Sequence, residues 1–401
     1  MKAAVVYPYW PRYREAIAAL LCQQTSPDPE YVLISGPEGR DGIRTIDPRR
    51  SGIPVEQGGL RWRFVKNFWA GRFFLWQAGV AGLGLTKEFD AIIYLGQFNI
   101  LSTIVSAVIA RLAGKRVLMW THGFIRERNS PKEFARACFY RLAHGFLLYG
   151  DRARAIMRQK GFDPKGLHVV YNSLDYEAQK LIRSSVSEDE LFRLRRALFP
   201  NPHHHVLSFI GRLTPQKKLD MLIRAGKKLH DGGFPVNILI VGDGGERGRL
   251  EKLSDECSMR EFTRFFGECH DEKEIGRCLM MSAMCVSPGE VGLTAMHALA
   301  YGTPVITHDD PSRQMPECEA IREGVTGCFF RYGSVDDLAG KIRNWLTVNG
   351  ACVRAAGENC ISVIEDRYHP AAQIRVINAA VRGEEASGCS GGRTAARERK
   401  P

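Results

Sequence analysis

The sequence predicts an α/β protein built as two doubly wound domains facing each other across a cleft, and three observations carry that prediction. Short runs rich in Val, Ile and Leu recur, each leading through a glycine or polar turn into a stretch of helical period, the pattern of a parallel sheet covered by helices. These runs fall into two sets, separated by the polar stretch SSVSEDELFRLRRALFPNPHHH. The chain has 401 residues, 44% apolar and 25% charged, which is enough for two cores and excludes a disordered, fibrous or single small-module protein.

In the first set the strand candidates are residues 2–7, 31–34, 91–95, 116–120, 145–148 and 168–171; in the second they are 206–210, 236–241, 263–266, 283–286 and 304–307. The polar stretch, read as a short helix and then a Pro/His loop, is the natural boundary, giving an N-terminal domain over 1–183, a linker over 184–204 and a C-terminal domain over 205–370. Residues 61–86 place Trp62, Val65, Trp69, Phe73, Trp76, Val80 and Leu83 on one helical stripe beside Arg61, Arg63, Lys66 and Arg72. That reads as a helix, packed on the N-terminal sheet or lying in an anionic membrane interface. Residues 91–110 carry no charge but are interrupted by Gln97, Asn99 and Ser102, so they read as strand, turn and helix rather than as a membrane span. Residues 384–401 read as a flexible basic tail.

The net charge of +12 favours anionic partners. Eleven cysteines lie scattered without a CxxC pair, as expected of free thiols in a reducing cytoplasm. The five-residue apolar run before Pro8 is too short for an export signal.

Two strand–loop–helix units carry the chemistry. In VLSFIGRLTPQKKLDMLI, residues 206–223, a strand runs into Gly211-Arg212, and Thr214-Pro215 suit an N-cap and first helical residue. This points a helix N-terminus and the cations Arg212 and Lys217 at the cleft, an arrangement that suits a diphosphate; the alternative is two solvated surface cations. In residues 285–310 a strand runs into Ser287-Pro288-Gly289-Glu290-Val291-Gly292, then into a helix from about Leu293 to Tyr301. Its first turn offers amides and the Thr294 hydroxyl to a phosphate, while Glu290 and His297 can meet sugar or ribose hydroxyls. A well-capped core helix with a satisfied histidine is the alternative. After the first strand, Tyr9, Trp10, Arg12, Tyr13 and Arg14 occupy a ligand-facing strand end, where they suit sugar stacking and phosphate binding.

GRLTPQKKLDMLI, LIVGDGGERGRLEKL, VSPGEVGLTAMHALAYGTPVI and EGVTGCFFRYGSVDDLAGKI, in this order, closely resemble the C-terminal domain of family-4 retaining glycosyltransferases. VVYNSLD and the histidine of WTHG resemble that family's interdomain segment and active-site histidine. The resemblance implies the GT-B fold, two Rossmann-like domains, with a helix near 371–383 returning to the N-terminal domain. It implies that Arg212 and Lys217 hold the diphosphate of a nucleotide-sugar donor, assisted by Gly211, Gly292, Leu293 and Thr294. Asn172 would lie near the interdomain cleft and His122 at the donor sugar or reacting centre. The chain departs from the pattern of two glutamates eight residues apart, having Gly289 and His297 in those positions, with Glu290 as a replacement for the first.

No two aspartates lie two residues apart, so no DxD element is present to bring a metal to a diphosphate, and the expectation is metal-free charge stabilisation by Arg212, Lys217 and helix N-termini. No cofactor is expected beyond the nucleotide-diphosphate sugar as co-substrate. The resemblance thus implies transfer of a sugar to a glycan or lipid-linked acceptor in cell-surface polysaccharide synthesis, in the cytoplasm or on the inner face of the membrane. The rivals are a nucleotide-sugar epimerase on the same architecture and a basic nucleic-acid-binding protein; the spread of charge along the chain argues against nucleic acid as a partner.

Overall fold

The computed structural model describes residues 1–40, 42–124, 130–349 and 353–386. The first part of the chain contributes strands β1 (Lys2–Val6), β2 (Glu30–Ser35), β3 (Trp62–Phe64), β4 (Asn67–Ala70), β5 (Phe74–Gln77), β6 (Ala91–Leu95), β7 (Arg116–Thr121), β8 (Gly145–Leu148) and β9 (Leu167–Val169). All but β4 and β5 form a seven-stranded sheet of order β3-β2-β1-β6-β7-β8-β9, parallel throughout. The second part contributes β10 (His205–Ile210), β11 (Val236–Val241), β12 (Thr263–Gly267), β13 (Met284–Ser287), β14 (Val305–His308) and β15 (Gly327–Phe330). They form a six-stranded parallel sheet of order β12-β11-β10-β13-β14-β15.

The central strands are apolar along both faces because helices cover both. Ala3, Ala4 and Val5 of β1 and Ile238, Leu239 and Ile240 of β11 are fully buried. Strand order reverses between β1 and β6 and again between β10 and β13, and crossover connections diverge at such points to leave a crevice beyond the strand ends. The segments after β1, β10 and β13 therefore sit where a ligand can enter.

Two sequence expectations need correction. Residues 61–86 are not a helix: β3 pairs with β2, β4 and β5 form an antiparallel hairpin, and Val80–Gly84 is a single 3-10 turn. The aromatic residues that trace a helical stripe also suit strands. Gly71, at φ 61°, turns the hairpin in a conformation no helix can pass through. Second, the segment GCFF, given no strand by its sequence pattern, is the edge strand β15. The short helix expected within 184–204 is Glu188–Leu198; it buries Leu191, and Leu191 and Phe199 join the C-terminal core together with Leu174 and Tyr176. Of the expected tail, residues 387–401 lie outside the described residues; Glu385 ion-pairs with Lys165 and the Ala386 amide donates to the Lys165 carbonyl at 2.8 Å. Among the described residues, the cysteines are free thiols and no helix is long and apolar enough to cross a membrane.

The last helix, Pro370–Arg382, packs on the N-terminal sheet although it follows the C-terminal one. Ile374, Ile377, Ala380 and Val381 join the core of Tyr31 and Leu33. The Tyr31 hydroxyl donates to Asn378 Oδ1 at 2.6 Å, and Arg116 Nε donates to the Ala380 carbonyl at 2.7 Å. Truncating the fully buried Ile377 to Ala should therefore destabilise the N-terminal domain by about 2–5 kcal/mol, read as a lower midpoint in urea unfolding.

Candidate functional site

The C-terminal wall of the cleft is built where two strand ends are tied together through their backbones. Beyond β10, the Gly211 amide donates to the Val241 carbonyl and the Leu213 amide to the Asp243 carbonyl, each at 2.9 Å. The contact is so close that a Cβ on Gly242, at φ 140°, would lie 1.9 Å from the Gly211 oxygen. Arg212 projects from this junction, exposed, and has no hydrogen-bond or ion-pair partner among the described residues. The helix expected to begin at Thr214-Pro215 begins later. Pro215–Lys217 is a 3-10 turn, Lys218 adopts a left-handed conformation at φ 49°, and the helix runs over Leu219–Asp231. Thr214 makes no side-chain cap.

Lys217 is engaged. Its Nζ donates to the Glu290 carbonyl at 2.9 Å and lies 3.7 Å from Glu290 Oε1. Burial lowers its pKa, against the opposing pull of Glu290. Glu290 is thus the partner of this lysine.

The loop after β13 explains the departure at position 289. A Cβ on Gly289 would lie 1.9 Å from the Gln216 carbonyl oxygen, because the Gly289 amide donates to Lys217 O at 3.0 Å and draws the 215–218 turn against it. A glutamate has no room there. Farther along, Val291 N–H donates to Gln314 Oε1 at 2.8 Å, and the Leu293–Ala300 helix starts at Gly292 without a side-chain cap. The amides of Gly292 and Leu293 have no acceptor among the described residues, so the positive end of the helix dipole is open to an anion. The Thr294 hydroxyl, expected to serve a phosphate, instead donates to the Ile210 carbonyl at 2.8 Å and fixes the helix to β10. His297 holds Nε2 3.4 Å from Glu272 Oε2, and Glu272 also accepts from Gln179 at 2.9 Å and Tyr301 at 3.1 Å. Only the other ring nitrogen of His297 is left to meet a hydroxyl.

On the N-terminal side, Trp10 and Arg14 do not face the cleft as expected. Trp10 is fully buried and stacks on Tyr7 at 4.7 Å. Arg14 is 4% exposed, donates to the hydroxyls of Tyr7 and Tyr149, and lies over the Trp120 ring at 4.8 Å. The apolar character of YPYW folds this segment inward, and phenol oxygens and aromatic faces receive the guanidinium in place of a ligand. Arg12 stays exposed, its amide donating to the Arg44 carbonyl at 2.9 Å, and Tyr9 is half-buried.

His122 follows β7 and packs on Tyr149 at 4.4 Å. Burial, reinforced by the Arg14 charge, pushes its pKa down to about 4, so the imidazole is neutral at pH 7. Its Nδ1 is buried with no hydrogen-bond partner among the described residues. The ring opens on a cavity of about 480 Å3 lined also by Asp151, Arg152, Gln314 and Met315. A second cavity of about 680 Å3 shares Gln314 and Met315 and is lined by Gly289, Glu290, Lys218 and Arg313 from the C-terminal domain and Lys132 and Arg136 from the N-terminal one.

The seam between these walls uses residues that the sequence reading passed over. Asn172 Nδ2 donates to Glu317 Oε1 at 2.9 Å, while Glu317 Oε2 is buried without a partner. Glu319 accepts from the amides of Asp151 at 2.6 Å and Arg152 at 3.0 Å, capping an N-terminal-domain helix from the other domain. Burial raises the pKa of both carboxyls. The sequence signal for them was two glutamates straddling one cysteine after a proline, in a segment without periodicity.

Two outcomes are expected of this geometry. Gly289→Glu must expel the 215–218 turn, and the overpacking should cost about 1–3 kcal/mol, read as a lower thermal midpoint; Gly292→Ala, in open space, serves as the control. The depressed pKa of His122 means that between pH 6.5 and 4 the unfolded chain binds a proton that the folded chain does not. That contribution to stability is full above pH 6.5 and falls with pH by about 1.4 kcal/mol per unit. The raised carboxyls Glu317 and Glu319 act with the opposite sign. The clean measurement is therefore the difference in unfolding free energy between wild type and His122→Gln, which should change with pH across this window.

Comparison with known proteins places these features in context. Residues 192–359 match the family model described as glycosyl transferases group 1. D-inositol 3-phosphate glycosyltransferase of Mycobacterium sp. (strain KMS) is 28% identical over 202 residues, 48% of this chain and 42% of that protein. The protein of the same description from Nocardia farcinica is 30% identical over 198 residues, 47% of this chain and 42% of its own. The match thus spans less than half the length of these curated relatives. Among solved structures, Anabaena HepE in complex with UDP superposes with a TM-score of 0.70 at 17% identity, covering 95% of this chain and 99% of that one. The lipopolysaccharide outer core galactosyltransferase WaaB gives 0.67 at 14% identity, covering 95% and 99%. Both sheets and their facing arrangement are those of the GT-B fold. Residues 192–359 are thus similar to the glycosyl transferases group 1 family, within a chain that has the two-domain GT-B fold.

Proposed function

We propose that the chain is a retaining glycosyltransferase that moves a sugar from a nucleoside-diphosphate donor to a hydroxyl of a glycan or lipid-linked acceptor. The reading further places it in cell-surface polysaccharide synthesis on the cytoplasmic side of a membrane, without a metal at the donor. The observation that carries it is the unpartnered Arg212 beside the open N-terminus of the Leu293–Ala300 helix, both at the β10/β13 crevice. Two fixed positive ends, one a guanidinium and one a helix dipole, suit a diphosphate leaving group. HepE, whose structures hold UDP and UDP-glucose, makes UDP the first donor nucleotide to try; WaaB, a lipopolysaccharide galactosyltransferase, supports a cell-surface acceptor.

In this reading the bond between the sugar C1 and the phosphate oxygen breaks as the acceptor oxygen bonds to C1 on the same face. The departing phosphate oxygen takes the acceptor's proton, so no side chain serves as general base. Arg212 meets the charge that develops on the diphosphate, joined by the amides of Gly292 and Leu293. Lys217, desolvated and held by Glu290, adds a fixed positive charge behind them. Neutral His122, with Nδ1 unpartnered, positions a hydroxyl of the donor sugar. Thr294, the phenol-bound Arg14 and Trp10 support the walls, and Asn172 ties the two domains. Arg12 and Tyr9 remain as acceptor-side groups, Glu290 and His297 as donor-side ones.

The test is thermal unfolding with UDP, GDP, ADP and CMP in EDTA, on wild type and on Arg212→Ala/Lys217→Ala. One diphosphate should stabilise the wild type by about 2.7 kcal/mol at a hundredfold excess over Kd, and the double variant should lose that gain. If no nucleotide stabilises a folded wild type, the proposal fails.

A further inference from the structure

The N-terminal domain leaves a large apolar face uncovered, on two adjoining elements. In the β4–β5 hairpin, Phe68 pairs across the strands with Trp76, and Ala70 with Phe74, on the face opposite the buried Leu75 and Gln77. Phe68, Phe74 and Trp76 are exposed, and Phe73 at the tip is 72% exposed. The hairpin joins the Leu101–Leu112 helix directly: Asn99 Nδ2 donates to the Phe73 carbonyl at 2.6 Å, and the Leu75 amide to the Asn99 carbonyl at 3.0 Å. That helix exposes Leu101, Val105, Val108 and Leu112, three or four residues apart and so on one face, with Leu112 85% exposed. Apolar exposure on this scale marks a binding surface.

Charge and residue type identify the occupant. Lys66 Nζ lies over the Phe68 ring at 5.2 Å, and Arg72 stands at the hairpin tip beside Phe73. Neither forms an ion pair with a described carboxylate. Tryptophan and phenylalanine backed by unpaired cations match the boundary of an anionic bilayer, where rings enter the headgroup region and ammonium and guanidinium groups meet phosphate. The root of the hairpin faces the cleft: Gln77 Nε2 donates to the Tyr7 carbonyl at 3.0 Å and Asn67 Nδ2 to the Pro8 carbonyl at 2.8 Å, at the ligand-facing end of β1.

We infer that the β4–β5 hairpin and the outer face of the Leu101–Leu112 helix dock the protein on an anionic lipid bilayer, beside the mouth of its cleft. Docking is a property of this surface and does not depend on the transfer reaction proposed above, so it is tested without substrate. The probe is sedimentation with vesicles of phosphatidylcholine containing 30 mol% phosphatidylglycerol, against vesicles of phosphatidylcholine alone.

Wild type should pellet with the anionic vesicles and far less with the neutral ones. Lys66→Gln/Arg72→Gln should weaken the binding about 25-fold, at about fivefold for each cation. Phe73→Ser/Trp76→Ser should abolish it, with both variants melting like wild type because the altered side chains are exposed. The inference is overturned if wild type stays in the supernatant with anionic vesicles, if both variants bind as wild type does, or if Phe73→Ser/Trp76→Ser dissociates a wild-type dimer that ignores vesicles.

Discussion

A short turn of the C-terminal domain, Pro316–Ala320, sets how the two sheets face each other, and the cleft depends on it. Glu317 reaches Asn172, and Glu319 reaches the first amides of the Asp151–Gln159 helix in the other domain. Burying carboxylates costs free energy that only hydrogen bonds and favourable dipoles offset. Glu319 has that compensation from two amides at a helix N-terminus, whereas Glu317 keeps one oxygen buried and unpartnered. Gln314 and Met315, just before this turn, wall both cavities. A displacement of the turn would therefore open both cavities at once.

Across that seam the domains contribute unlike electrostatics. The C-terminal wall offers fixed positive charge in the form of an unpartnered guanidinium, an open helix N-terminus and a desolvated lysine. The N-terminal wall offers a neutral imidazole backed by aromatic rings, with Arg14 sunk beneath it. Arg14 and Arg212 are the same residue type at equivalent strand ends, yet one supports the wall and the other projects from it. The difference is the neighbourhood: Arg14 is enclosed by Tyr7, Tyr149 and Trp120, whereas Arg212 is exposed and has no hydrogen-bond or ion-pair partner among the described residues. The glycine at 289 belongs to the same construction, since it lets the Lys217 turn close on the β13 loop where a carboxylate side chain would hold it off.

Much of this was legible in the chain itself. Interior strands such as β1, β6, β7, β10 and β11 announced themselves as continuous apolar runs, because a strand covered on both faces has no polar positions. The segments after β10 and β13 were legible because glycine and helix-start residues are local requirements of a strand–loop–helix turn. Local pattern failed at 61–86, where aromatic residues suit either period and the turn at Gly71 decides. The short helix Glu188–Leu198 was legible as such, but not its attachment to the C-terminal core through Leu191.

By itself, the sequence determined the two parallel sheets, the order of their interior strands, and the positions of Arg212, Lys217 and His122 after strand ends, since these follow from hydrophobic period and turn chemistry between near neighbours. Only the tertiary structure decided which of those side chains are free. Trp10 and Arg14 turn inward, and Thr294 is held by Ile210, Lys217 by Glu290 and His297 by Glu272, these last three through partners distant in sequence. A side chain's availability is set by what the fold places within hydrogen-bond reach, and no local pattern encodes contacts that form only when separate segments pack together.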